Sequence, residues 1–73
     1  VKELSEREKK VLAFCKSFMV LNGYSPSIRE IMASIDIPST SEVRYYLQKL
    51  EVRGLISRVK NVSRSIVIMK EVD

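Results

Sequence analysis

Ser41 and Arg44 stand three residues apart, Ser41 and Tyr45 four apart, and Arg44 and Gln48 four apart. On a helix these intervals bring side chains to one side. An arginine fork matches the O6 and N7 acceptors of guanine, and a glutamine amide matches the N7 and N6 groups of adenine. Tyr45 offers a phenol for a base methyl or a phosphate, and Ser41 adds a hydroxyl. The chemistry these groups suit is the reading of base edges in a major groove. The plainer reading is a solvated helix face, although Lys and Glu are the commoner residues there.

A second set of residues suits phosphate. Six basic residues (Arg44, Lys49, Arg53, Arg58, Lys60 and Arg64) accompany a single acid, Glu51, between positions 44 and 64. The whole chain holds 13 Lys and Arg against 9 Asp and Glu, a formal charge of +4, so this stretch carries all of the excess and the rest of the chain is close to neutral. Such a region attracts polyanions and speeds their encounter. Ser27 and Arg29, and again Ser39 and Thr40, stand at expected helix N-termini, where free amides and the helix dipole favour anions. Together with Lys49, Arg58, Lys60 and Arg64 they form an expected phosphate rim. Ser27 and Ser39 also suit plain helix capping, and a charged hairpin also discourages edge-to-edge aggregation.

Positioning these groups requires helices. Ser-x-x-Glu occurs at Ser5/Glu8, Ser27/Glu30 and Ser39/Glu42, each time ahead of an apolar run at helical spacing. In such a capping box the serine oxygen accepts the third amide of the helix, and the glutamate accepts the amide of the serine. Glu42 is therefore assigned to a cap first. The predicted helices cover about 6–22, 28–35 and 40–53, the first and last closed by Gly23 and Gly54. Pro38 fixes a tight turn between the second and third. Val43, Tyr46, Leu47 and Leu50 form the core stripe of the third helix, at about 100° per residue, opposite Ser41, Arg44, Tyr45 and Gln48. Beyond Gly54 the pattern turns strand-like over 55–59 and 65–69, with a basic tip at 60–64. The expected architecture is mainly α: a winged helix-turn-helix of three helices and a two-stranded antiparallel β-hairpin, in one domain over residues 1–73.

With 73 residues, no His and one Cys, the chain lacks the usual zinc ligand sets and any internal disulfide. Cys15 falls on the apolar stripe of the first helix with Val11, Leu12, Phe14, Phe18 and Met19, and reads as a core residue. No acid, base, metal or nucleophile constellation is visible, so neither catalysis nor a cofactor is expected. Apolar runs such as Phe18–Leu21 are far shorter than a membrane span. The chain opens at Val1, which reads as processing or trimming, and no signal-peptide pattern follows. A cytoplasmic setting is expected.

Leu4-Ser5-Glu6-Arg7, Gly23-Tyr24-Ser25-Pro26-Ser27-Ile28-Arg29-Glu30-Ile31, Ser39 to Leu47, and Leu50-Glu51-Val52-Arg53-Gly54-Leu55-Ile56 together resemble the N-terminal domain of the LexA repressor family. The resemblance runs from about Leu4 to Met69. It implies a bacterial transcriptional repressor of DNA-damage (SOS) genes, whose winged domain binds half of a palindromic operator. It also implies a homodimer made through a separate C-terminal domain, which cuts its own linker by a serine–lysine mechanism when RecA filaments form; no residue of this chain matches that domain. The family's base-reading positions fall on Ser41, Glu42, Arg44 and Tyr45. The enterobacterial pattern has Asn at Ser41 and acids at Arg44 and Tyr45, so this chain departs from it and the resemblance does not carry that operator sequence over. The alternatives are a winged-helix regulator of a phage, plasmid or other non-SOS regulon, and a winged-helix module that binds protein.

Overall fold

In the computed structural model, residues 4–59 and 62–69 are described, and Lys60 of the expected phosphate rim lies outside them. Three helices, α1 (Glu6–Asn22), α2 (Ile28–Ile35) and α3 (Thr40–Val52), precede two short strands, β1 (Ile56–Ser57) and β2 (Val67–Ile68). The strands pair antiparallel, Ile56 opposite Ile68 and Ser57 opposite Val67. This is the winged helix-turn-helix expected from the sequence.

Local chemistry sets the helix ends. Ser5 Oγ accepts the Glu8 amide at 3.2 Å, while Glu8 Oε1 accepts the Ser5 amide at 2.8 Å. Ser27 and Glu30 repeat the arrangement at 3.1 and 2.8 Å. The box expected at Ser39/Glu42 is corrected: only its first half forms, Ser39 Oγ accepting the Glu42 amide at 3.2 Å. The Glu42 carboxylate goes elsewhere. Asp36 ends α2 at φ 63, a left-handed conformation that a short polar side chain tolerates. At the end of α3 the Gly54 amide bonds the Glu51 carbonyl at 2.9 Å, and the Leu55 amide bonds the Leu50 carbonyl at 3.0 Å. This reversed pair of bonds needs a residue with positive φ between helix and exit, and Gly54 supplies it at φ 78.

The strands are shorter than the sequence suggests. Ile66 does not give its amide to β1; it donates to the Ser25 hydroxyl, 41 positions upstream, at 3.1 Å. Ser65 Oγ meanwhile accepts the Val59 amide at 3.0 Å, replacing a ladder bond with a side-chain bond. Val67 points outward on an open edge, 56% exposed.

The core joins Val11, Leu12 and Cys15 of α1, Ile31 of α2, Ile37 of the turn, Val43, Leu47 and Leu50 of α3, and Ile56 and Ile66 of the hairpin. Phe14, Met19 and Met32 pack against its margin. Phe18 is only half-buried and meets Phe14 and Tyr24, with ring centroids 5.6 and 5.5 Å apart. Cys15 is fully buried, and desolvation pushes its thiol up to about 12. The thiolate is the species that reacts. Labelling Cys15 with an aromatic disulfide reagent at pH 8 is therefore expected to run at the rate of global unfolding, and to become immediate in denaturant. Immediate labelling of the native chain would contradict this packing.

Candidate nucleic-acid interface

α3 has two unlike sides. Val43, Leu47 and Leu50 are at most 1% exposed, whereas Ser41, Arg44, Tyr45 and Gln48 are all exposed. The structure thus brings the four expected base readers together on one free helical face. Among the described residues no hydrogen bond or ion pair holds Arg44 or Gln48. Tyr45 is steadied by its neighbours. Its ring stands edge-on to Tyr46 with centroids 5.5 Å apart, and Lys49 Nζ lies 5.5 Å from its centroid. Tyr45, Gln48, Lys49, Val52 and Arg53 line a shallow depression toward the end of the helix.

Glu42 stands apart from that set. Its Oε2 accepts Arg7 Nη1 at 2.9 Å and the Tyr46 hydroxyl at 3.2 Å. The carboxylate bridges α1 to α3, which explains why it does not close the cap with Ser39. Burial, reinforced by the Glu42 hydrogen bond, raises the Tyr46 phenol above its ordinary value, so it stays a donor. Arg7 had no signal in the sequence, since its partner lies 35 positions away.

The rim residues divide. Arg29 and Ser39 are exposed, Ser27 and Thr40 are half-buried, and both serine oxygens accept cap amides. A serine hydroxyl that accepts still has a hydrogen to donate. Lys49 is exposed on α3, and Arg58 Nε donates to Glu51 Oε1 at 3.2 Å. Arg64 turns back toward the helices. Its two terminal nitrogens take the two Glu30 carboxylate oxygens at 2.9 and 3.1 Å, and Nη1 also donates to the Ser25 carbonyl at 3.1 Å. The arginine, with the Ser27 amide second, holds the Glu30 carboxyl below its ordinary value. Arg64, between the strands in sequence, is therefore held against the first turn of α2.

Residues 1–65 match the profile of the family described as LexA DNA binding domain. The chain belongs to that family. It is 48% identical over 66 residues to the LexA repressor of Roseiflexus sp. (strain RS-1), covering 90% of this chain and 30% of that protein. It is 42% identical over 66 residues to the LexA repressor of Herpetosiphon aurantiacus, covering 90% of this chain and 31% of the relative. LexA repressor 1 of Geobacter sulfurreducens is 40% identical over 73 residues, which is 100% of this chain and 36% of the relative. The chain thus spans about a third of the length of the curated relatives it matches. Among the described residues no helix is long and apolar enough to cross a membrane.

Proposed function

We propose that this chain reads duplex DNA by sequence, as the operator-binding domain of a LexA-like transcriptional repressor, with α3 in the major groove. The observation that carries the proposal is the free face of α3, where Ser41, Arg44, Tyr45 and Gln48 project opposite Val43, Leu47 and Leu50. An arginine and an amide without protein partners among the described residues, on a helix anchored from behind, are the groups that discriminate base pairs. Glu42, engaged by Arg7 and Tyr46, is left to the scaffold in this reading.

Ser27, Arg29, Ser39, Thr40, Lys49, Arg58 and Lys60 supply the phosphate grip. One copy makes about four to eight phosphate contacts and binds weakly alone. Two copies on a palindrome, held by a dimerisation domain elsewhere in a longer protein, gain from effective concentration. Family membership supports extending the proposal to control of DNA-damage genes in the bacterial cytoplasm, and to a full-length homodimer that responds to RecA filaments. Any self-cleavage belongs to that longer protein, because the matched domain is a DNA-binding one.

The test is a titration with a palindromic SOS-type operator and with a scrambled duplex, at two salt concentrations. The expected result is preference for the operator, with affinity falling steeply as salt rises. Equal, salt-sensitive binding to both would point to a different operator. No binding at low salt would move the reading to a protein partner.

A further inference from the structure

The hairpin is too slight to orient itself. Its ladder has two residue pairs, extended by one bond from the Met69 amide to the Leu55 carbonyl at 2.9 Å, and two-stranded hairpins alone are marginal in water. Besides the Arg58–Glu51 bond to α3, a cluster around Ser25 ties the wing, the segment joining β1 to β2, to the helices. The Ser25 hydroxyl accepts the Ile66 amide at 3.1 Å and donates to the Pro26 carbonyl at 3.0 Å. Its carbonyl accepts Arg64. Arg64 forks onto both oxygens of Glu30 and lies 5.0 Å from the Tyr24 ring centroid. Glu30 Oε1 also accepts the Ser27 amide at 2.8 Å, so one carboxylate joins the cap of α2 to the wing. Arg64 adopts φ 55, a left-handed conformation unusual outside glycine, which turns its side chain inward.

We propose that Arg64 is a positioning residue for DNA binding, clasped by Glu30 and Ser25 so that the wing is held on the first turn of α2, and that it does not itself grip a phosphate. The proposal rests on the DNA-binding reading above. A forked arginine–carboxylate pair is directional and holds its partners in one geometry. It also cancels the charge a phosphate would seek. Lys60, four positions from Arg64 in the sequence, is the wing cation whose use against the duplex would depend on this clasp.

The roles differ in sign at Glu30. If Arg64 grips phosphate, removing the acid beside it frees a cation and tightens binding. If Arg64 positions the wing, removing the acid releases the wing and weakens binding. The experiment compares wild type, Arg64→Gln, Arg64→Lys, Glu30→Gln and the double variant Arg64→Gln/Glu30→Gln. The probes are the duplex the wild type enriches from a random pool and a random-sequence duplex, over a salt series well below each melting temperature. Glutamine at position 30 keeps the helix cap.

Arg64→Gln and Glu30→Gln are each expected to weaken binding to the enriched duplex about tenfold, the double variant no more than either alone. The slope of log affinity against log salt should shift by the same amount in both, because both release the same wing, and the Ile66 amide should exchange with solvent faster in both. Arg64→Lys should behave like Arg64→Gln, because lysine keeps the charge but loses the fork. The proposal is overturned if Glu30→Gln binds as tightly as wild type or tighter, if losses add in the double variant, or if Arg64→Gln lowers the salt slope by about one while Glu30→Gln leaves it unchanged. Should Arg64→Gln fail to fold, Glu30→Gln and Arg64→Lys still decide it by the direction of their effects. If the wild type binds neither duplex, the DNA-binding reading falls first, an outcome distinct from wild-type binding with the wrong variant pattern.

Discussion

Leu47→Ala is expected to destabilise the chain by about 3–4 kcal/mol, near the middle of the range for large-to-small changes at buried leucines. Leu47 is 1% exposed and lies between Val43 and Leu50 on α3, facing a core shared by all three helices and the hairpin. Two conditions make the change severe. The site is enclosed by rigid helical neighbours, so collapse around the lost methyls is limited. The chain has only 73 residues, for which a total stability of about 4–11 kcal/mol is typical. A loss of this size lowers the melting temperature by at least about 12 °C in a domain this small. Thermal and urea unfolding followed by far-ultraviolet circular dichroism checks it, with Val20→Ala as the control. Val20 is 84% exposed, and its truncation should fall within about 0.5 kcal/mol of wild type. A loss under about 1 kcal/mol at Leu47 would mean that the interior is looser than its burial indicates.

Arg44→Ala tests the other side of the same helix and leaves stability nearly untouched. The expected effect is on discrimination: preference at one base pair of each half-site falls by about 1–3 kcal/mol, while affinity for random duplex changes little. Arg7, Arg58 and Arg64 are each paired with a carboxylate, whereas Arg44 is exposed with no such pair among the described residues. Its guanidinium enters a complex without breaking an internal bond. Lys60→Ala is the contrast, weakening all duplexes alike and reducing the salt slope by about one, as loss of a phosphate contact does. Selection of binding sites from a random pool by wild type and Arg44→Ala reads the outcome. If Arg44→Ala weakens cognate and scrambled duplexes equally, the base-reading role belongs to another residue.

The features legible in the sequence were those set by neighbours along the chain. The helix starts at Glu6 and Ile28 follow from Ser5/Glu8 and Ser27/Glu30, partners three positions apart. The free face of α3 follows from periodicity alone. The spacing of Ser39 and Glu42 suggests a full capping box, but a residue 35 positions away competes for the Glu42 carboxylate. The β-branched composition of 65–69 suggests a longer strand, because it does not reveal that Ser25 takes the Ile66 amide. Charge patterning records a cation at Arg64 and not the direction of its guanidinium, which turns onto Glu30. In each case a distant partner outbid a local rule, which spacing cannot register.

The wing's attachments at Ser25 and Glu30 span 34, 39 and 41 positions of chain, whereas each helix opens on a cap closed within three. Closing long loops costs entropy that must be met before the contact rewards it. Assembly should therefore proceed from the helices outward, with the hairpin docking after the rate-limiting step. A lesion in the clasp would then leave the folding rate alone and appear almost wholly as faster unfolding. The chain would acquire its three-helix frame first and its wing last.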